Sequence, residues 1–264
     1  MKITVFTSNQ SRHIALINSL ASISEKTYAV MECNTVFPGK VQDFFKKSEV
    51  MQTYFSNVIN AETKLFGNIC FSPSNAKILA IKGGDLNLLE QAQLQEALNS
   101  DVYVVFGSSF IKGWLIDFLV ARKALNIHMG LSPYYRGSSC NFWALYDNKP
   151  HLVGATVHYL SKGLDSGPML YHAVPKFKGE SPFEFTMKAV VAAHNSLTDR
   201  ISSKEIFQFE PVIQDKSFEV RYTRNTDFTD EVAKNFLERK LTIEDLSISL
   251  NSKPTFNLLR PYSQ

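Results

Sequence analysis

What most constrains this chain is an alternation of short apolar runs with segments whose apolar residues recur at helical spacing. Lys2–Phe6, Thr27–Met31, Lys77–Ile81 and Val102–Phe106 read as buried strands, each followed by polar or turn-forming residues. Between them, Ile14, Ile17, Leu20 and Ala21 mark a helix after the polar turn Thr7–Ser11. Gln42–Val58, carrying Phe44, Phe45, Met51, Tyr54 and Phe55, reads as a second helix and Leu86–Leu98 as a third. The pattern continues with a helix at Lys112–Arg122, a strand at Leu125–His128 and a helix at Cys140–Tyr146. Strands at Gly154–Leu160 and Met169–Val174 precede a long helix from Pro182 to Ser203. This order predicts an α/β fold, a Rossmann-like, mostly parallel sheet with helices on both faces. Such sheets bind ligands beyond the carboxyl ends of their strands, so a site is expected in the loops there.

The texture changes near Ile206. Phe207–Tyr222 reads as strand and turn, Thr229–Glu238 as a helix, and the last 25 residues as loosely structured. The 264 residues thus divide into a main domain at 1–205 and a small mixed C-terminal extension at 206–264. The net charge of the chain is only +3. The extension holds eight Lys or Arg and nine Asp or Glu, a net of −1. Neither balance suits a protein that grips nucleic acid through many phosphates, so no nucleic-acid partner is expected. Apolar runs stop at five residues, too short for a membrane helix, and MKITVFTSNQ turns polar too early for a secretory leader. Cys33, Cys70 and Cys140 are odd in number and far apart. They predict reduced, buried thiols in a cytoplasmic protein, with no disulfide framework and no metal site.

Two stretches carry chemistry. In Asn126-Ile127-His128 the strand alternation puts an amide and an imidazole on one face at the end of a short strand. Gly130, Pro133 and Gly137 then break the chain, as a loop bordering a cleft requires. Asp165 lies in Ser161–Gly167 between two glycines, after a strand expected to end at the same carboxyl edge. An oxyanion donor, a base and an acid to orient the base are a working set for acyl transfer, if the chain brings them together. Each also has a plain alternative, a satisfied polar pair for Asn126 and His128 and a turn aspartate for Asp165.

Asn126–Gly137, NIHMGLSPYYRG, followed by Gly154–Gly167, GATVHYLSKGLDSG, resembles the signature of the folate-dependent formyltransferases. The shared parts are Asn-x-His, a Leu-x-Pro-x-x-x-Gly loop, and Asp-x-Gly after a Gly-Ala-Thr strand. The resemblance covers about 110 residues if Val102–Phe110 is included. One departure is Met129-Gly130, where many members have Pro-Ser. The resemblance implies formyl transfer from N10-formyltetrahydrofolate to a primary amine, without a metal. In that reading Asn126 donates to the oxyanion, His128 relays the amine proton, and Asp165 orients the imidazole. It also implies a pterin held by the backbone around Phe106, Ser109, Phe110 and Ile111, and by Gly163, Leu164 and Asp165. His158 reads as a structural strand residue, while His13, His151, His172 and His194 read as solvated or locally bonded.

The acceptor is read from what surrounds these motifs. Purine-pathway relatives hold a substrate phosphate in a glycine-rich loop after the first strand. Here Ser8, Asn9 and Gln10 replace it, with Arg12 following, which argues against the purine substrate and leaves room for another phosphate or a sugar. Tyr134, Tyr135, Arg136 and Trp143 stand near the catalytic loop as stacking or binding candidates. The near-neutral extension argues against tRNA and is similar to that of sugar N-formyltransferases, where it helps form a homodimer. The resemblance therefore points to an amino sugar, nucleotide-linked and dideoxy, for bacterial surface polysaccharide. The alternatives are a formyltetrahydrofolate hydrolase, whose added amino-terminal domain has no counterpart before the first strand, and a methionyl-tRNA formyltransferase-like enzyme. A non-catalytic nucleotide-binding module predicts a G-x-G-x-x-G turn that the sequence lacks.

Overall fold

The computed structural model describes residues 1–36, 40–41, 43–252 and 256–264. In chain order its elements are β1 (Lys2–Ser8), α1 (Ser11–Ser22), β2 (Lys26–Cys33), the antiparallel pair β3 (Thr35–Val36) and β4 (Lys40–Val41), α2 (Glu49–Phe66), β5 (Ala76–Lys82) and β6 (Val102–Phe106). Then come α3 (Gly113–Ala121), β7 (Leu125–His128), β8 (Tyr135–Gly137), α4 (Cys140–Tyr146), β9 (Ala155–Tyr159), β10 (Met169–Val174) and α5 (Pro182–Ser202). The C-terminal segment adds β11 (Arg221–Thr223), α6 (Asp230–Glu238), α7 (Ile243–Asn251) and β12 (Tyr262–Ser263).

Eight strands form the main sheet in the order β12-β10-β9-β7-β6-β1-β2-β5. From β5 to β7 the neighbours are parallel, β9 is antiparallel to both β7 and β10, and β12 lies parallel to β10. The mostly parallel α/β architecture is thus the observed one. Ile3, Val5, Val104, Leu125 and Ile127 face α1 and α5 on one side of the sheet. Phe6, Val30, Tyr103 and Val105 alternate with them and face Leu115 and Leu119 of α3 on the other. Each such side chain, fully buried, stabilises by roughly 1.5–3 kcal/mol. A further core lies around α4, where Phe142 and Leu145 pack on Phe185 of α5 and on Ala233, Phe236 and Leu246 of α6 and α7.

Local chemistry sets the helix ends. Ser181 and Glu184 cap α5 reciprocally, each side chain taking the other's backbone N–H, with Pro182 in the first turn. The second helix differs from its sequence reading. Asp43 precedes a single 3₁₀ turn at Phe44–Lys46, Ser48 then caps α2 by accepting from Met51 N, and the helix runs on to Gly67. Gln42 lies outside the described residues. Leu86–Leu98 is not one helix but 3₁₀ turns at Asp85–Leu88 and Gln91–Leu94. Asn87 there bonds the loop after β6, through Lys112 N and Phe110 O, and Leu88 is exposed, so no continuous apolar stripe exists to pack a helix. Within the last 25 residues, α7 is a regular helix capped reciprocally by Thr242 and Asp245.

Candidate active site

Asn126 and His128 project from one face of β7, as alternation requires, and both are buried. Opposite Asn126 in the antiparallel register lies His158 of β9. His158 Nδ1 donates to the Tyr159 carbonyl at 2.8 Å, which leaves Nε2 as an acceptor, and Asn126 Nδ2 donates to it at 2.9 Å. Burial lowers the His158 pKa to about 4, so the ring stays neutral and in that tautomer. His158 is therefore more than a strand filler, because it orients the Asn126 amide. The sequence signal for it was its polar pairing with Asn126, visible once β9 is known to run against β7.

That antiparallel direction also corrects the route to Asp165. The β9–β10 loop begins at the amino end of β7, not at the carboxyl edge. It folds back over the face that carries Asn126 and His128. Asp165, at φ +44°, places Oδ2 3.3 Å from His128 Nδ1 and Oδ1 3.3 Å from Asn126 Nδ2. The three residues singled out in the sequence are thus brought together. Burial works against both charges, yet each stabilises the other. The Asp165 carboxyl is held below its usual range, and the His128 imidazole well above its ordinary value.

The other imidazole nitrogen meets the Tyr135 carbonyl and the Cys140 thiol, neither of which the sequence placed against His128. His128 Nε2 lies 3.2 Å from the Tyr135 carbonyl and 3.5 Å from Cys140 Sγ, and that thiol also reaches the Gly137 carbonyl at 3.4 Å. A Cβ at Gly130 would lie 2.5 Å from Cys140 Cβ and 2.7 Å from His128 Nε2. The Met129-Gly130 departure therefore has a steric reason, since a side chain at 130 would displace either the thiol or the imidazole. Of the other thiols, Cys70 is exposed and Cys33 half-buried, against the expectation that all three are buried.

The expected donor contacts divide. Phe106 and Ile111 are core side chains, Phe106 with its ring 4.9 Å from His13 and 5.2 Å from His194, so they offer a ligand only backbone. Ser109 N donates to Glu32 Oε2 at 2.5 Å, and Glu32, fully buried, also takes Gly84 N at 2.8 Å. Phe110 and Leu164 are each about half exposed and Gly163 is exposed. Lys162 pairs with Asp117 of α3 at 2.6 Å, so the β9–β10 loop lies along the same helix that the β6 loop enters.

On the acceptor side, the expected residues are mostly engaged with other parts of the protein. The α1 terminus is already filled: Glu62 of α2 takes Arg12 N at 2.9 Å and Arg12 Nη1 at 2.8 Å. Its own carboxylate thus stands where a ligand phosphate would sit. Ser8 Oγ is spent on the Glu32 carbonyl, and Asn9 Oδ1 accepts from Asn34 N, Thr35 N and Thr35 Oγ1. Gln10 caps α1 through its carbonyl alone. Tyr135 is buried with its hydroxyl on Asp147, Arg136 is buried and paired with Glu219, Tyr134 bonds the Asn257 carbonyl, and Trp143 is buried under Arg221. These four serve packing against the C-terminal segment. Of the histidines read as solvated or locally bonded, His172 is buried and bonded to Ser132 and Leu259, His13 and His194 are buried, and His151 is half-buried.

A cavity of about 320 Å³ opens beside His128 instead. Tyr54 and Phe55 of α2, Phe142 of α4 and Phe183 of α5 wall it, and Phe228 and Phe236 of the C-terminal segment complete it. Arg12, Ser139, Asn141 and Thr186 are its polar edges. None of the aromatic walls was singled out as a site residue, because in sequence an aromatic that lines a cavity and one that fills a core look alike.

A family model of formyl transferases matches residues 1–201. The chain belongs to the formyl transferase family. Among curated relatives of this formyl transferase is the methionyl-tRNA formyltransferase of Thermosynechococcus vestitus, 36% identical over 107 residues. That match takes in 38% of this chain and 32% of the relative, about a third of its length. Among solved structures, a sugar N-formyltransferase from Shewanella sp. superposes with a TM-score of 0.53 at 15% identity, covering 86% of this chain and 78% of that one. The N-formyltransferase from Helicobacter canadensis, solved with folinic acid and dTDP-3-aminofucose, gives 0.51 at 11% identity over 97% and 84%. At these identities the structural likeness establishes the fold of this formyl transferase. No helix among the described residues is long and apolar enough to cross a membrane.

Proposed function

We propose that this formyl transferase moves a formyl group to the primary amine of an amino sugar, and that the sugar is a dideoxy one carried on a nucleotide. The observation that carries the reading is the cavity against His128, roomy enough for one substituted ring and walled by aromatic side chains. Of the side chains lining it that carry positive charge, Arg12 is paired with Glu62 and His128 with Asp165, so a diphosphate attached to that ring would lie outside it. The nucleotide-sugar ligand of the Helicobacter canadensis structure supports the same class. The near-neutral C-terminal segment weighs against a tRNA acceptor. A homodimer in the cytoplasm belongs to the same reading.

N10-formyltetrahydrofolate would supply the formyl group between the loops that carry Phe110 and Leu164. Asn126 keeps its amide plane on His158 and has a second N–H on a long bond to Asp165. That N–H is the donor that can give up its long bond to Asp165 for an oxygen that gathers negative charge in front of it, a contribution worth about 3–4 kcal/mol at comparable sites. His128 enters the reaction charged, because its pKa is raised, and so first stabilises that oxygen as a cation. It can take the proton of the attacking amine only after giving its own to that oxygen, and collapse of the tetrahedral adduct would then break the bond between the formyl carbon and N10, releasing tetrahydrofolate with that proton. Asp165 holds the imidazolium at Nδ1 throughout.

The test is release of tetrahydrofolate from N10-formyltetrahydrofolate against nucleotide-linked amino sugars, free amino sugars, glycinamide ribonucleotide, charged initiator tRNA and water. Turnover with one amino sugar is the expected result. Equal turnover with water alone would make the chain a hydrolase, and turnover with only the tRNA or the ribonucleotide would overturn the sugar reading.

A further inference from the structure

Four groups that titrate or carry charge face His128: Asp165 from the β9–β10 loop, His158 from β9, Cys140 from α4, and Arg12 of α1 across the cavity. Three of these ride on strands or helices. Asp165 alone hangs on a loop, and it does so with φ +44°, a left-handed conformation that costs a residue with a Cβ of order 1 kcal/mol. The loop is tied at its ends, by Leu160 N to the Ala124 carbonyl at 2.7 Å and by Tyr159 N to the Pro168 carbonyl at 3.0 Å. Within it Ser161 Oγ donates to the Gly163 carbonyl at 3.1 Å and lies 2.9 Å from Ser166 Oγ, while the backbone at Asp165 itself is held from outside. Gln214 Nε2 donates to the Asp165 carbonyl at 2.8 Å and to the Gly167 carbonyl at 2.9 Å. Gln214 is itself anchored two residues earlier, where Val212 exchanges bonds of 2.7 and 2.8 Å with Met169.

The amide is committed to this clamp. Both of its hydrogens go to carbonyls on either side of Ser166, while Oε1 is buried with no partner among the described residues. An amide in a merely convenient position would turn to satisfy that oxygen. The contacts it protects are sensitive ones, since the ion pair of Asp165 with His128 and its hydrogen bond from Asn126 are both already long, at 3.3 Å. Further lengthening would weaken them steeply.

We propose that Gln214 is a positioning residue that holds Asp165 against His128, so that the C-terminal segment sets the geometry of the catalytic pair. This rests on the reading of His128 and Asp165 as the catalytic pair. Gln214 touches neither reacting group. It acts by keeping the Asp165 backbone in its left-handed turn.

Two measurements test it. The first is an NMR titration of the His128 imidazole in wild type and in Gln214→Met, which keeps the length of the side chain and loses both donors. The midpoint should fall by about half a pH unit or more as the carboxylate drifts away. In the Asp165→Asn background, Gln214→Met should move the midpoint no further. The second is steady-state kinetics with the acceptor found above, in which kcat should fall about tenfold while KM for the acceptor stays within about twofold. Gln214→Ala repeats both if the methionine variant folds poorly. An unmoved midpoint in a folded variant overturns the proposal, as does an equal loss of kcat in the Asp165→Asn background. The titration needs no acceptor, so failure of the acceptor panel would count against the proposed function and leave this test decisive.

Discussion

At the scale of single residues, the site depends on a short chain of hydrogen bonds in which each member fixes the next. His158 is held neutral and orients Asn126, while Asp165 keeps His128 charged. Removing the imidazole with His128→Ala should lower kcat by about 10²- to 10⁴-fold in a chain that still folds, as far-ultraviolet circular dichroism would show, though with a lower melting temperature because Asp165 loses its buried partner. More than a tenth of the activity remaining would take His128 out of the mechanism. Asp165→Asn should let the raised imidazole pKa fall back toward its ordinary value. Activity that needs the charged ring is then lost at a lower pH as pH rises, so the alkaline limb of the pH–rate profile shifts down. An unshifted limb would mean that Asp165 does not set the charge of His128. Only Asn126 and His128 were legible as a pair from spacing, two apart on one strand; Asp165, 39 residues on, joined them through the order of the three motifs that resemble the folate-dependent formyltransferases. Cys140 and Glu62 were not legible, because their roles come from contacts made across the fold.

At the scale of elements, the parallel half of the sheet was readable from periodicity, and the antiparallel strand was not. Apolar runs such as Val102–Phe106 announce burial on both faces but carry no sign of direction. Hence the loop of Asp165 was expected at the wrong edge while its residue was expected in the right place. The helix expected at Leu86–Leu98 failed because Asn87 bonds another loop instead of continuing a helix. One strand residue joins distant elements. His172 of β10 donates from Nε2 to the Ser132 carbonyl at 2.8 Å and accepts at Nδ1 from Leu259 N at 3.0 Å. His172→Phe should strand both backbone groups, costing about 1–3 kcal/mol for each left unsatisfied. It should lower the melting temperature and speed hydrogen exchange at Leu259 and Gln264, and unchanged exchange there would show that His172 does not tie β12 to the sheet.

At the scale of the whole molecule, residues 206–264 share cores with the rest of the chain. β12 extends the main sheet beside β10, β11 pairs with β8, and Phe236 is buried against α4. A chain of residues 1–205 should therefore lose cooperative unfolding and near-ultraviolet circular dichroism; a sharp native-like transition would show that the first 205 residues stand alone. The buried histidines set an acid limit. His158 and His172 are held neutral with pKa values lowered to about 4, and His194 to about 3, all by burial. In the unfolded chain they take up protons below about pH 6.5. The unfolded state therefore binds more protons between there and about pH 4, and stability falls as the pH falls through that window. His128 has the opposite sign, its raised pKa adding stability at low pH that is lost as pH rises through the folded value. Urea midpoints at pH 7, 6 and 5 should decline in that order, and a flat series would mean that the histidines are not held neutral. A last consequence follows from Glu62, whose carboxylate already occupies the end of α1. Dissolved inorganic phosphate finds no vacancy there, so initial rates in phosphate and in an uncharged buffer of equal ionic strength should coincide, and the enzyme would work undisturbed by the orthophosphate of its surroundings.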